Sequence, residues 1–468
     1  MRKSLALIAV MTVLVAMIVP VAAFAAPPSG TWVGSIQVMN IGGATANVTV
    51  SFYNHDGSLA TTWNKPDVAV GESWNIYTPN VTGLQDGFQG SVVVSSDQPV
   101  VAIGSENVTY SNGTKGVSQF SGMGASDIAS SFLLPNVSKA YGGAGWSTRI
   151  TVQDASGASN PYTIQFYNAD GSELAAAKIS DTLGPSGSAT WDQSTAANLP
   201  ANWLGSAVVT GTGNLAVVVD DMSNDGRLET YNGIPAPGTT DLFIPTLLRN
   251  YGTTKWTTSF QVFNPSASDT ANVTIDYYTA GSSTIAKTIT QALGPRQSLN
   301  RYQGTADSDL GGINWIGSVH VHSDKPVCAI ATQSSGVRPA ASAYNAASVG
   351  ATTAYLPTVL RNFSPTGSNW VSSFQIMNVS SSVTATVHIE YFTPGNPTPV
   401  KSVDTSILPY NVLNRYQPAD DSDLPVNWQG SVKVTSTNGA PIVVVGSQSG
   451  LNNQGDNTSQ YNGFPGGA

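Results

Sequence analysis

Two aspartate-rich runs are the first residues whose type and spacing could do chemistry. One is Asp307-Ser308-Asp309, and Asp420-Asp421-Ser422-Asp423 stands at the matching place further along the chain. Carboxylate oxygens are the ligands that Ca²⁺ prefers. Neither run has the length or the turn glycine of a complete calcium loop, so ordinary turn chemistry is the alternative. No other cofactor is expected. The candidate calcium ligands are Asp307, Asp309, Asp421 and Asp423.

His320 and His322 are two of the four histidines in the chain. Their spacing would place both side chains on one face of a strand, where they could form two metal ligands. The matching positions hold Val93 in an earlier segment and Lys433 in a later one, which offer no ligands, and this face is expected to be wet. A metal site here is therefore the minor interpretation.

Nucleophilic catalysis has no recognisable motif in this chain. The patterns G-x-S-x-G, S-x-x-K and H-E-x-x-H are absent from the sequence. Cys328 is the only cysteine, and it lies in the apolar run 327–330. A buried structural thiol is therefore expected rather than a nucleophile, and no intrachain disulfide can form. An enzyme is not expected.

Aromatic rings recur two residues before a Gly-Ser pair, as Trp203 does before Gly205. Such rings could bind polysaccharide if they were exposed. The alternative is packing, because large rings dominate the burial of apolar surface in cores. The candidate carbohydrate-binding residues are Trp203, Trp315 and Trp428.

These rings belong to an internal repeat of about 110 residues. Similar segments open at Trp32, Trp146, Trp256 and Trp370. About 45 residues later an aromatic residue precedes a polar loop, at Tyr77, Trp191, Tyr302 and Tyr416. Because the three kinds of anchor keep their order and spacing four times, the chain consists of four copies of one module.

Within each copy, apolar and polar residues alternate with a period of two, which is typical of strands with one buried face. In the third copy Val273, Ile275 and Tyr277 alternate with Thr274 and Asp276. The sequence therefore predicts an all-β protein of four tandem antiparallel β-sandwich domains, broadly immunoglobulin-like. The predicted divisions are a leader at 1–25 and domains at 26–126, 127–238, 239–350 and 351–468.

The first residues have the pattern of a cleaved signal peptide. A basic start, Met1-Arg2-Lys3, precedes an almost wholly apolar run from Leu5 to Val19 and the small residues of Ala23-Phe24-Ala25. Cleavage after Ala25 would export the chain. No later segment has 18 consecutive apolar residues, so no membrane span is expected in the mature protein.

The charge balance argues against nucleic acid as a partner. Removing Arg2 and Lys3 takes the formal net charge from −9 to −11, that is −9 − 2. Phosphate binding needs clustered lysine and arginine.

Apolar segments containing Pro135, Pro245 and Pro357 precede the second, third and fourth copies. They are expected to be strands, and their shortness predicts a semi-rigid rod. There are four copies but three such segments, so the first copy lacks a strand if each segment leads the copy after it, and the fourth lacks one if each segment ends the copy before it. One end of the rod would then present an unpaired sheet edge, which could pair with another chain.

The combined pattern resembles the repeat modules of bacterial secreted and cell-surface proteins. It runs W-x-[ST]-x-[IF]-x-[VI], then V-T-[VI]-x-[FY]-Y, L-G-P, L-P-x-N-W-x-G-S and P-[VI]-V. It is seen at 256–262, 273–278, 293–295, 199–206 and 441–443. The resemblance covers nearly the whole mature chain and implies a fold and a location. It carries over no functional residue.

These observations predict a non-enzymatic structural or adhesive protein of a bacterial cell surface or extracellular matrix. Its expected partners are other surface or matrix components, including polysaccharide or further copies of the chain. A multivalent carbohydrate-binding protein is the alternative, because repeated sites raise avidity. A subunit of a strand-complemented filament is a further alternative.

Overall fold

A computed structural model describes residues 17–24, 30–111, 113–310, 314–364, 367–451 and 455–466. In these ranges the chain is almost entirely β-structure and forms four modules, each with two antiparallel sheets packed face to face. The prediction of an all-β protein is confirmed.

The first module contains β1 to β8, and the second contains β9 to β16. In the first they are β1 Met17–Phe24, β2 Gly30–Asn40, β3 Ala46–Asn54, β4 Leu59–Val68, β5 Ser73–Tyr77, β6 Gly90–Ser96, β7 Val100–Tyr110 and β8 Lys115–Ser121. In the second they are β9 Ala129–Lys139, β10 Ser147–Asp154, β11 Asn160–Asn168, β12 Ile179–Leu183, β13 Ser188–Asp192, β14 Trp203–Met222, β15 Leu228–Asn232 and β16 Ile234–Pro235.

The third module contains β17 to β23, and the fourth contains β24 to β32 with one short helix. In the third they are β17 Thr239–Arg249, β18 Trp256–Phe263, β19 Ala271–Thr279, β20 Ile285–Leu293, β21 Ser298–Tyr302, β22 Trp315–Ser335 and β23 Ala341–Asn345. In the fourth they are β24 Thr353–Arg361, β25 Trp370–Asn378, β26 Ala385–Phe392, β27 Lys401–Ile407, β28 Val412–Tyr416, α1 Gln417–Asp420, β29 Trp428–Ser436, β30 Ile442–Gly450, β31 Thr458–Asn462 and β32 Phe464–Pro465. Single 3₁₀ turns lie at Thr78–Asn80, Ala175–Ala177 and Gln193–Thr195.

One strand order recurs in all four modules. In the first module the outer sheet runs β1-β6-β3-β4 and the inner sheet runs β5-β2-β7-β8. The second and third modules join the counterparts of β6 and β7 into the single long strands β14 and β22, which pass from one sheet to the other.

The alternating residues fill the space between the sheets as predicted. Val273, Ile275 and Tyr277 of β19 are buried in the core of the third module. Burying one such side chain contributes roughly 1.5–3 kcal/mol, so the period-two pattern alone supplies much of the driving force for each sandwich.

The four modules close into a propeller-like ring. The last long strand of each module, here called the closing strand, lies beside the axis: β8 and β23 each pack against both β15 and β31. The first module therefore contacts the fourth as well as the second, and the predicted semi-rigid rod is wrong. The junction segments are strands as expected, but each serves as the leading strand of its own module.

Apolar side chains on these leading strands pack against the neighbouring module. Leu133 of β9 packs with Phe263 and Cys328 of the third module. Phe243 of β17 packs with Met377 and Val443 of the fourth. The Cys328 thiol is fully buried in its interface, in agreement with a structural role, and burial raises its pKa well above the usual range.

A closed circle of hydrogen bonds joins the ends of the closing strands. The side-chain nitrogens of Asn232, Asn345 and Asn462 donate to the carbonyl oxygens of Ser121, Asn232 and Asn345, each at 2.7 Å. Ser121 Oγ donates to the Asn462 carbonyl at 2.8 Å and completes the circle. Within the circle, each module thus donates one side-chain hydrogen bond to the module before it and accepts one from the module after it.

The tyrosine that precedes each asparagine fixes the closing strand to its own module. Tyr231 Oη donates to the Asn136 carbonyl at 2.5 Å, Tyr344 Oη to that of Thr246 at 2.8 Å, and Tyr461 Oη to that of Thr358 at 2.7 Å. All three acceptors lie on leading strands. The Tyr-Asn pair therefore links the interior of one module to its neighbours in the ring.

The predicted leader is described only over Met17–Phe24. There it forms β1, which pairs with β6 in the register Met17↔Ser96 to Phe24↔Gly90. This is the place that the leading strands β9, β17 and β24 take in the other modules. Cleavage after Ala25 stays a prediction, and it would uncover the β6 edge.

We predict that Asn345→Ala lowers the free energy of unfolding by about 1–2 kcal/mol, because the Asn232 carbonyl and amide both lose a hydrogen-bond partner. Urea denaturation followed by tryptophan fluorescence measures the change. Asn64 is exposed, and Asn64→Ala should change stability by less than about 0.5 kcal/mol. Equal stability of the two variants would contradict a structural role for the circle.

Candidate functional site

An open groove between the first and fourth modules combines aromatic walls with an amide-rich floor. Its volume is about 320 Å³. The walls carry the rings of Tyr77, Phe363 and Trp370. The remaining lining residues are Ser35, Gln37, Asn75, Ser105, Asn107, Val117, Gln119, Thr358, Leu360, Gln429 and Gln448. No charged residue lines the groove among the residues that the structure describes.

Local strand pairing holds the walls. Phe363 and Trp370 exchange two backbone hydrogen bonds, at 2.8 and 2.7 Å, in the hairpin between β24 and β25. On the other side Tyr77 ends β5, and the hydroxyl of the next residue, Thr78, donates to the Gly34 carbonyl at 2.9 Å. Both walls are therefore fixed by backbone geometry before any ligand binds.

The floor is a network of neutral donors and acceptors. Gln37 Nε2 donates to Asn75 Oδ1 at 3.0 Å, and Gln119 Nε2 donates to Ser105 Oγ at 3.1 Å and to Gln448 Oε1 at 3.3 Å. An amide presents both a donor and an acceptor. Such a surface suits a neutral, hydroxyl-rich ligand better than an ion.

The wall tyrosine and the amide pair recur around the ring. Tyr77, Tyr302 and Tyr416 are 47%, 46% and 36% exposed. They lie opposite Ser35, Ser259 and Ser373 in equivalent strand pairs. Beneath them the pairs Gln37–Asn75, Gln261–Asn300 and Gln375–Asn414 are hydrogen-bonded at 3.0, 3.2 and 2.8 Å.

The second module departs from this pattern. Asp192, opposite Arg149, stands where the other modules have tyrosine. The repeat anchor Trp191 lies one position away and donates its indole N–H to Tyr162 Oη at 2.7 Å. The sequence marks these tyrosines as repeat anchors, but it does not show that they are exposed.

The predicted carbohydrate-binding tryptophans are interior residues. Trp203, Trp315 and Trp428 are 5%, 7% and 5% exposed. Their indole N–H groups donate to Asn168, Thr279 and Thr393 at 2.8, 3.1 and 2.9 Å. No ring face is open to a sugar, so the geometry favours the packing alternative. The reason is that each ring closes one end of its own sandwich core.

The first predicted calcium pair already has cationic partners. Asp307 is fully buried, and Arg301 Nη2 and Lys287 Nζ lie 2.5 and 2.9 Å from its Oδ1. Asp309 is exposed and pairs with the same lysine. Burial opposes ionisation of Asp307, but the bonds from Arg301 and Lys287 outweigh it and hold the pKa of this carboxyl below its usual range.

The fourth module repeats this arrangement. Arg415 Nη2 and Lys401 Nζ lie 2.5 and 2.8 Å from Asp421 Oδ1, and Lys401 also pairs with Asp423. Because the chain's own cations neutralise these carboxylates, the geometry argues against calcium at Asp307, Asp309, Asp421 and Asp423. In both loops the buried aspartate forms ion pairs with a lysine and an arginine of its own module.

A second concave surface surrounds the asparagine circle. This depression of about 520 Å³ is lined by residues of all four modules, among them Asn345, Asn462, Ile234 and Phe464.

The opposite end of the axis is closed by one carboxylate. Asp456 of the fourth module donates its backbone N–H to the Lys115 carbonyl at 2.7 Å. Its Oδ2 accepts from the amides of Leu228 and Ala341 at 2.8 and 3.1 Å. One residue thus touches the other three modules, and burial raises its pKa well above the usual range.

Further buried acids lie in the second module. Arg149, itself fully buried, pairs with Asp220 at 3.0 Å. Burial raises the pKa of Asp221 to about 6. Burial, reinforced by Asp221 and Asp456, raises the pKa of Glu229 well above its usual range. These groups are enclosed, so no substrate could reach them.

Comparison with known proteins identifies no family: no family model and no curated protein matches the chain. Among solved structures, it is similar to Thermotoga maritima 1070 at 15% identity, covering 24% of this chain and 95% of that one, with a TM-score of 0.20. A GH78 family rhamnosidase of Bacillus sp. GL1 is 9% identical, with 73% and 56% covered and a TM-score of 0.11. The pilus adhesin SpaC from Lactobacillus rhamnosus GG is 10% identical, with 93% and 56% covered and a TM-score of 0.11. In the described part of the chain, no helix has the length and apolarity to cross a membrane.

We predict that Glu229→Gln stabilises the protein at pH 8 but not at pH 4. A carboxyl whose pKa is raised on folding contributes its full stability below its unfolded pKa of about 4.3, and this contribution is lost as pH rises. The variant should exceed the wild type by about 1 kcal/mol or more at pH 8, measured by urea denaturation.

The exposed Glu173 provides the control, since Glu173→Gln should leave the pH dependence of stability unchanged. A gain for Glu229→Gln of equal size at both pH values would show that the buried charge is not its cause.

Proposed function

We propose that this chain is a non-enzymatic, secreted structural and adhesive protein of a bacterial cell surface or extracellular matrix. The observation that carries the proposal is the circle of hydrogen bonds through Ser121, Asn232, Asn345 and Asn462. It makes the four repeats one preassembled body instead of independent domains on a string. The modules are taken as immunoglobulin-like sandwiches, and the leader as cleaved after Ala25.

The distribution of polar groups supports a structural role. Among the described buried acids, Asp220, Asp307 and Asp421 pair with arginine, and Asp456 accepts from backbone amides at the axis. Enclosed groups of this kind stabilise or specify a fold and do not act on a substrate. Two clefts that open to solvent, the groove and the depression at the asparagine circle, are each built from more than one module.

The compartment can be tested by expressing the full chain with its own leader in a bacterial host. We expect a product that begins at Ala26 and fractionates with the envelope or the medium. Mass spectrometry of the N-terminus and fractionation against a cytoplasmic marker measure this. Ala25→Asp, which disrupts the small-residue site, should block processing. An unprocessed cytoplasmic wild-type protein would overturn the proposal.

Multivalent carbohydrate binding is the second candidate function, favoured by the three exposed tyrosines above their amide pairs. Stacking on an aromatic side chain contributes about 0.5–1.5 kcal/mol, and three such sites on one molecule would raise the avidity for a polysaccharide. These rings take the place of the interior tryptophans as the proposed sugar contacts.

For this candidate, we predict that Tyr77→Ala, Tyr302→Ala and Tyr416→Ala together abolish retention on an insoluble polysaccharide. Each single change should weaken binding by about fivefold, which corresponds to ~1 kcal/mol. A pull-down over a polysaccharide panel measures retention. Val426→Ala, at another exposed apolar site, is the control. Wild-type retention by the triple variant would exclude these sites.

The strand-complemented filament has weaker support. The leading strands β9, β17 and β24 each pair within their own module. The described part of the chain therefore offers no spare donor strand, and a filament would need another source for the β6 edge.

A further inference from the structure

The third module carries a cluster of two histidines and two aspartates on the sheet face against which Tyr410 of the fourth module packs. His320 and His322 lie on β22, Asp276 on the neighbouring strand β19, and Asp241 on β17 at the other side. One ligand atom each from Asp276, His320 and His322 lies within 4.8 Å of the others. Three adjacent strands thus bring together what the sequence separates by up to 81 positions, that is 322 − 241.

Two of the contacts are about as short as the edges of a coordination tetrahedron. His320 Nε2 lies 3.0 Å from Asp241 Oδ1, and His322 Nε2 lies 3.2 Å from Asp276 Oδ2. In a tetrahedral zinc site with bonds of about 2.0–2.1 Å, neighbouring ligand atoms are about 3.3 Å apart. Two neutral imidazoles and two carboxylates would balance the charge of a divalent ion.

The supporting contacts orient the ligands. Thr288 Oγ1 donates to Asp276 Oδ1 at 2.5 Å, which leaves Oδ2 directed at His322. The ring of His320 stacks on Phe243 and Tyr410, with centroid distances of 4.9 and 4.8 Å. Such partners are what fix a metal-binding imidazole or carboxylate in place. The side chain of His322 is 43% exposed, so an ion could enter from solvent.

The other modules do not have this ligand set, although they share the backbone. The fourth module has Lys433 and Glu390 at the positions of His320 and Asp276, paired at 3.4 Å. The second has Val208 and Gln165 there, and the first has Val93 and Ser51. The ligand residues therefore do not follow from the repeat, and a role confined to one module explains them better than sheet formation does.

We propose that Asp276, His320 and His322, with Asp241 as the fourth group, bind a divalent transition-metal ion, with Zn²⁺ as the best fit. Mixed imidazole and carboxylate ligands suit zinc, whereas calcium and magnesium prefer oxygen alone. The site goes beyond the structural function proposed above and does not depend on it.

The test is titration of the full, tag-free chain with Zn²⁺ by isothermal calorimetry, together with the visible spectrum of the Co²⁺ form. We expect one equivalent bound per chain and the absorption bands of a tetrahedral cobalt complex. His322→Gln and Asp276→Asn should each weaken binding by about tenfold or more. His322 is partly exposed, and circular dichroism of both variants checks that they fold.

A matched control comes from the fourth module, where His388 Nδ1 lies 2.7 Å from Asp404 with no second histidine. His388→Gln should leave zinc affinity and stoichiometry unchanged. Absence of zinc binding by the wild-type chain would overturn the proposal, as would equal affinity in the wild type, His322→Gln and Asp276→Asn.

Discussion

The hydrogen-bonded circle of Ser121, Asn232, Asn345 and Asn462 is the constraint on which the rest of the ring depends. A closing strand is the edge of its inner sheet, and an unpaired edge is a liability in water. Here the four edges face one another. Each polar group at the axis must then find its partner in a neighbouring module, which specifies the relative rotation of all four sandwiches.

This requirement explains why the closing strands have two different faces. On one face, the side chains of Tyr231, Tyr344 and Tyr461 point into their own sandwiches. On the other face, Thr230 donates to Ser118 at 2.7 Å and Ser342 donates to Gln460 at 2.9 Å, both across module boundaries. Buried polar networks of this kind contribute little net stability if partly satisfied and strongly specify one arrangement when complete. The apolar contacts of the leading strands hold neighbouring modules together, and the hydrogen bonds at the axis fix their relative orientation.

Much of the sandwich could be predicted from the sequence, because alternation is local. Val273, Ile275 and Tyr277 report their burial through their spacing alone. The closed ring of modules could not be predicted, because asparagine is common in ordinary turns and nothing in the sequence distinguishes the asparagines that join the modules. Their partners lie in other modules, more than 100 positions away.

The candidate sites divide in the same way. Asp307 and Asp421 suggested calcium because the lysines that neutralise them, Lys287 and Lys401, stand 20 positions earlier, on other strands. The recurrence of Trp203, Trp315 and Trp428 was real, but recurrence does not distinguish a core plug from a ligand platform. The two histidines were noticed from their spacing, whereas Asp276 and Asp241 join them only through strand pairing.

The seam between the first and fourth modules has a mechanical consequence. Three of the four interfaces are crossed by the polypeptide, which holds their partners at high effective concentration. The fourth is held by non-covalent contacts alone, among them the hydrogen bonds of Gln119 to Gln448 and of Ser431 to the Gly71 carbonyl. The ring is therefore expected to open at this seam before it opens at any other interface. The groove with Tyr77 and Trp370 spans this seam. A ligand that contacts both of its walls would therefore also hold the first and fourth modules together.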